Sequence, residues 1–172
     1  MVKKMRIELR WALIFAAMMI GWMTIEKLTG LHGPRIEQHA VYTNFVAIPA
    51  ILLYVFALID KRQKDYGGYM TYAQGLRSGL VITFLYAPMS VGVVFLSTQV
   101  ISPEFFPNVI ALVIKTNVMK PDEAAAYFNL NNYMISAFLG SLIMGAITSV
   151  LVALFVRRAP SGSLAPSHQA ND

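Results

Sequence analysis

The sequence of 172 residues contains no cysteine. That excludes a disulfide framework, a thiol nucleophile, and thiolate-held zinc or iron–sulfur centres. Charge is scarce as well: 13% of residues are charged against 56% apolar, and the mean hydropathy is +0.55. A soluble domain of this length could not cover its surface with so few charges. The scarcity is also uneven. No Asp, Glu, Lys, Arg or His falls within Trp11–Ile25, Val41–Ile59, Ser78–Ile101 or Tyr133–Val156. Ionisable groups kept inside a membrane mark proton relays, ion paths and catalytic sites. Their absence counts against a proton-coupled carrier and against acid–base chemistry at the bilayer midplane.

What is present is hydrophobic length. A membrane helix needs about 20 mainly apolar residues to cross the hydrocarbon core. The four uncharged stretches predict spans at about 9–28, 41–59, 73–101 and 133–156. The first reaches full length once Leu9 and Leu28 are included and Arg10, Glu26 and Lys27 snorkel to the interfaces. It is not a cleaved signal segment by its sequence, since Met23-Thr24-Ile25-Glu26-Lys27 offers no small-residue cleavage site. The fold expected is all-α: four transmembrane helices forming two helical hairpins within residues 1–158, followed by a disordered cytoplasmic tail at 159–172. That tail is rich in Ser, Pro and Ala and has no apolar run.

The net charge of +5 is a topology signal and not a nucleic-acid one, because the charges flank the apolar runs. One side of the membrane holds Lys3, Lys4, Arg6, Arg10, Lys61, Arg62, Lys64, Arg77, Arg157 and Arg158, ten of the fourteen basic residues. The other holds Lys27, Arg35, Lys115 and Lys120. The positive-inside rule then predicts that both termini are cytoplasmic. Lys61, Arg62 and Lys64 are explained by that topology and would also attract anionic lipid headgroups.

Thr71 and Gln74 have capping-box spacing, which starts the third helix at about Tyr72. The largest outer loop, 102–132, is expected to be partly helical. Asn108–Met119 has the pattern of a short interfacial helix, and Pro121, Asp122 and Glu123 give a helix start before Ala124–Phe128. Asn129, Asn131 and Asn132 are placed to break that helix before the fourth span.

The run Asp65-Tyr66-Gly67-Gly68-Tyr69-Met70-Thr71-Tyr72-Ala73-Gln74-Gly75-Leu76-Arg77-Ser78-Gly79 joins a basic loop, a Gly-Gly-Tyr turn and a small-residue helix start. With the acidic-and-alanine stretch before the last span and the terminal Arg157-Arg158, it resembles the bacterial membrane family known as domain of unknown function 4199. The resemblance covers roughly residues 5 to 158. It implies the four-span fold and a place in the bacterial inner (cytoplasmic) membrane, and it carries over no functional residues, since the family name assigns no activity.

On the fourth span, Ala137, Ser141, Gly145, Ser149 and Ala153 recur every four residues, with Ser136 and Gly140 beside them. Such stripes let helix backbones approach closely. Packing inside one chain is the plain explanation; a homo-oligomer or partner interface is the functional one. Gly75 with Gly79 and Ala17 with Gly21 are similar pairs, and Pro49 and Pro88 read as kinks. His32, Glu37 and His39 lie within eight residues of one loop. Their spacing matches no zinc site. Glu26 and Lys27 read as interfacial anchors. No catalytic, cofactor-binding or metal-binding residue is therefore expected, and no cofactor.

Three functions remain. First is a non-enzymatic membrane protein that assembles with itself or another membrane protein. Second is a small oligomeric channel or transporter, which needs Thr83, Ser90 and Ser97 on one shared face. Third is an enzyme, limited to Glu37, Glu104, Asp122, Glu123 and the two loop histidines.

Overall fold

In the computed structural model, residues 5–159 are described. The expected disordered tail lies outside them apart from Ala159. Seven α-helices follow one another: α1 (Arg6–Leu28), α2 (Ile36–Tyr42), α3 (Ala47–Asp65), α4 (Tyr72–Leu96), α5 (Phe105–Lys115), α6 (Pro121–Tyr127) and α7 (Leu130–Val156). There is no strand among the described residues, only an isolated bridge between Met70 and Arg158. Four helical rods are long and apolar enough to cross a membrane: α1, Ile36–Asp65, Tyr72–Ile101 and α7.

The second rod outruns its apolar stretch at both ends. It starts at Ile36 instead of residue 41, because α2 joins α3 through a 3-10 turn at Thr43–Val46. Pro49 lies just beyond that turn, where its missing N–H removes the bond that would regularise it. At its other end the rod runs past Ile59 to Asp65. There the charges are paired along the helix, Lys64 with Asp60 at 2.7 Å and Lys61 with Asp65 at 2.6 Å. Thirty residues give a rod of about 45 Å, the thickness of a bilayer with its headgroups.

The capping box at the start of α4 is formed as the spacing requires. The Gln74 amide donates to Thr71 Oγ1 at 3.2 Å, and the Thr71 amide donates to Gln74 Oε1 at 2.9 Å. The helix continues through Pro88 and ends in a π turn at Ser97–Ile101. α5 lies three residues earlier than expected, starting at Phe105. It stops at Lys115, before Asn117, whose φ of +55° no α-helix allows. α6 starts on Pro121, and Asn129 caps α7 by accepting the Asn132 amide at 3.0 Å.

The central contact is α4 against α7. A Cβ placed on Gly79 would lie 2.7 Å from Ser149 Cβ, and one on Gly145 would lie 2.6 Å from the Thr83 side chain. No larger residue fits at either point. The space that Gly145 leaves holds a hydrogen-bonded pair, Tyr54 Oη with Thr83 Oγ1 at 2.7 Å, and Thr83 also donates to the Gly79 carbonyl at 3.0 Å. Phe15 of α1 sets its ring edge-on to Tyr54 and Tyr86, so two further helices, α1 and α3, meet at this seam. The interior is thus small or hydrogen-bonded, with Ser78, Thr83, Ser90 and Ser149 all buried. Large apolar side chains face outward instead: Leu13, Phe56, Phe84, Ile143 and Leu151 are each about half exposed, and Phe155 is 85% exposed. Water would not tolerate such a surface, whereas lipid tails do.

The end of the bundle that carries the N-terminus of α1 and the C-termini of α3 and α7 is rich in basic residues and is closed by charge pairs. Lys61, 5% exposed, reaches Glu8 at 2.7 Å, and Ser78 donates to the same carboxylate at 3.2 Å. Arg10 pairs with Asp60, which also accepts from Trp11 Nε1 at 3.0 Å. Arg62 donates to the Val156 carbonyl at 2.7 Å, and Met70 and Arg158 exchange backbone bonds of 3.0 and 2.9 Å. Lys61, Arg62 and Lys64 are therefore structural partners.

Gly145→Leu should lower the melting temperature in detergent markedly, since overpacking a filled site costs about 1–3 kcal/mol or more. The control Ile143→Leu, on the exposed side of α7, should melt like the wild type. Equal melting of both variants would mean that the α4–α7 seam is not packed as described.

Candidate functional site

At the opposite end of the bundle, the loop end, sequence and fold assemble a buried polar cluster. α1 ends in a six-to-one turn: the Leu31 amide donates to the Glu26 carbonyl and the Gly30 amide to the Lys27 carbonyl, both at 2.9 Å. Gly30 makes the turn possible with a φ of +83°. The reversal brings His32 back beside Glu26. His32 Nε2 lies 3.2 Å from Glu26 Oε2, and His39, delivered by α2, places its Nε2 3.8 Å from the same oxygen. One donor atom from each of Glu26, His32 and His39 falls within 4.8 Å of the others.

Each group is also held from behind. Trp22 Nε1 donates to Glu26 Oε1 at 2.7 Å. Ser102, fixed by the bond from its amide to the Ser97 carbonyl in the π turn, sets its Oγ 2.7 Å from His32 Nδ1. Asn108 Nδ2 of α5 donates to the His32 carbonyl at 2.8 Å. The ring of Phe105 stands edge-on to both imidazoles, at 5.0 and 5.2 Å, and to Tyr133 of α7. Burial is deep: Glu26 is 1% exposed and His32 is 5%.

Two expectations change here. Glu26 is not an interfacial anchor; it turns inward and is hydrogen-bonded, while its neighbour Lys27 stays exposed. Glu37 does not join the histidines, since on α2 it points outward and faces Lys115 at 3.6 Å. Glu26 stands in its place. Glu104, Asp122 and Glu123 are exposed and far from forming a common site. The signal that could have found the cluster is Gly30, the residue that turns the chain back on α1.

Ser102, His32 and Glu26 form a chain of contacts like that of a hydrolase. Ser102 is only 2% exposed, however, and does not line the adjoining cavity, so no carbonyl substrate reaches its oxygen. The small-residue stripe divides into two parts. Gly145, Ser149 and Ala153 are buried against α4, whereas Ala137 and Ser141 are only half-buried and Gly140 has nothing within 4 Å of its would-be Cβ.

These features define a class: an all-helical protein with four helices suited to crossing a membrane, closed at each end by buried polar contacts. Residues 10–158 match the family described as a protein of unknown function, DUF4199, and the chain belongs to that family. Nothing among the curated proteins or the solved structures matches it.

Ser102→Ala would leave His32 Nδ1 without its partner, at a cost of about 1–3 kcal/mol to local stability. Hydrogen exchange in micelles should then speed up in α5 and the 30–39 turn while the amides of the α4–α7 seam stay protected. Unchanged exchange in α5 would show that the cluster does not hold that segment.

Proposed function

We propose that this chain is a multi-pass protein of the bacterial cytoplasmic membrane, built as two helical hairpins with both termini in the cytoplasm, that acts by assembling with copies of itself or with another membrane protein. Eight described basic residues at the end where α1 begins and α7 finishes, with Lys3 and Lys4 just before α1 in sequence, against four at the loop end, support that orientation. On this reading the loop end is extracytoplasmic. α5 then lies in the interface with its apolar side in lipid and Lys115, which is largely exposed, in water.

The observation that carries the assembly reading is the half of α7 that the rest of the chain covers only in part. Beyond Gly145, towards the loop end, Ser136 is exposed, Ala137, Gly140 and Ser141 are only half-buried, and a Cβ on Gly140 would meet nothing within 4 Å. An open groove of about 440 Å³ lies on another face of the same half of α7, lined by Val91, Asn131, Met134, Ile135, Phe138 and Leu139. A small-residue surface in lipid favours close approach of a second helix. The channel reading has less support. The side chains it needs are turned to their own helices, Thr83 to the Gly79 carbonyl and Ser90 to the Ala87 carbonyl, and the Tyr54–Thr83 pair fills the middle of the bundle. Catalysis has less support too, because the Ser102 hydroxyl beside His32 is buried.

Two measurements test the proposal. A periplasm-active reporter fused after Ala159 should be silent and one inserted near Pro103 active; the reverse would overturn the orientation. The wild type should be oligomeric, or hold a partner, when its mass is measured in mild detergent and in nanodiscs. Gly140→Leu should dissociate that assembly and leave the monomer's melting unchanged, because position 140 has free space. A wild type that is monomeric and alone in both media would end the assembly reading.

A further inference from the structure

We propose that Glu26, His32 and His39 form a binding site for a divalent transition-metal ion of the zinc class, with a fourth coordination position open to the adjoining cavity. The donor set is one carboxylate oxygen and two imidazole nitrogens, which suits zinc and its neighbours and not calcium or magnesium. Ligands about 2.0–2.1 Å from a tetrahedral ion lie about 3.3 Å from one another. Here the spacings from Glu26 Oε2 are 3.2 Å to His32 and 3.8 Å to His39, and no pair exceeds 4.8 Å. The closure needed falls mainly on His39. It is the most exposed of the three, at 22%, and sits on a helix of only seven residues.

The surroundings are those a metal site requires. A ligating histidine gives its other ring N–H to an oxygen that fixes its tautomer and aim. His32 is placed for this: Nδ1 lies 2.7 Å from Ser102 Oγ, and once an ion takes Nε2 the ring proton sits on Nδ1 and is donated to that oxygen. The second carboxylate oxygen of Glu26 is held by Trp22, leaving Oε2 for the ion. A cavity of about 180 Å³ adjoins the two imidazoles and is also lined by Thr43, Thr98 and Tyr133. It has room for a bound water or a small ligand at the fourth position. An ion here would tie the end of α1 to α2 directly. Through Ser102 and Asn108 it would also tie both to the π turn and α5.

The whole chain, purified without a histidine tag and stripped with a chelator, is titrated with Zn2+ alone by calorimetry. Co2+ alone is then followed by its visible absorption, which reports coordination number. One Zn2+ per chain, a raised melting temperature and a four-coordinate Co2+ spectrum are expected. His39→Ala should weaken Zn2+ binding by more than about 100-fold, and Ser102→Ala by about 10–100-fold. Glu37→Gln, at an exposed carboxylate, and His168→Ala, at the third histidine of the sequence, should bind like the wild type. Melting of the metal-free variants shows which are folded, and Ser102→Ala serves as the test should His39→Ala not fold. No uptake by the wild type would overturn the proposal, as would full affinity in folded His39→Ala and Ser102→Ala. Loss of binding in Glu37→Gln or His168→Ala would place the ion elsewhere and overturn it equally.

Discussion

The contact between α4 and α7 is set by absent side chains. With Gly75 and Gly79 on one helix and Gly145, Ser149 and Ala153 on the other, the backbones come close enough that an added methyl group would collide. In lipid no hydrophobic effect drives helices together, so association depends on packing and on hydrogen bonds made at short range. Here both come from the same place. The void at Gly145 admits the Tyr54–Thr83 pair, and that pair brings α3 to the seam, while Phe15 brings α1. The outward turn of the large apolar residues follows, because the seam has no room for them.

With the centre closed, polar chemistry is confined to the two ends. The basic end uses Glu8, Asp60, Lys61 and Arg62 to join α1, α3 and α7. Breaking one buried pair there would strand a charge, a cost of about 3–5 kcal/mol. The loop end uses Glu26, His32 and Ser102 to join α1, the turn after it and the end of α4. The bundle is thus pinned at its middle by shape and at its ends by charge and hydrogen bonding.

What could be read from the sequence was local. Apolar run length gives the spans, because solvation by lipid acts residue by residue. The Thr71–Gln74 cap and the four-residue periodicity of α7 are likewise properties of adjacent turns. The contacts that make the candidate site are not. His32 and Ser102 are 70 residues apart, as are Glu8 and Ser78, and Arg62 meets the carbonyl of a residue 94 positions on. Hydropathy also misread the second rod. Glu37, Gln38 and His39 interrupt the apolar run and look like a loop, yet they belong to α2, where His39 turns inward and Glu37 outward. A polar residue near a span end has two destinations, water or a buried partner, and only the partner's position decides between them.

The central claim is that the stripe on α7 packs within the chain in its C-terminal half, from Gly145 to Ala153. Because the chain has no cysteine, Gly75→Cys with Ala153→Cys tests it without background. A Cβ on Gly75 lies 3.2 Å from that of Ala153, just short of the usual disulfide range of about 3.5–4.5 Å. Mild oxidation in native membranes should form an intramolecular disulfide at a rate independent of expression level, with the product running as a monomer. A dimer linked between chains, or two thiols that stay free, would contradict the account.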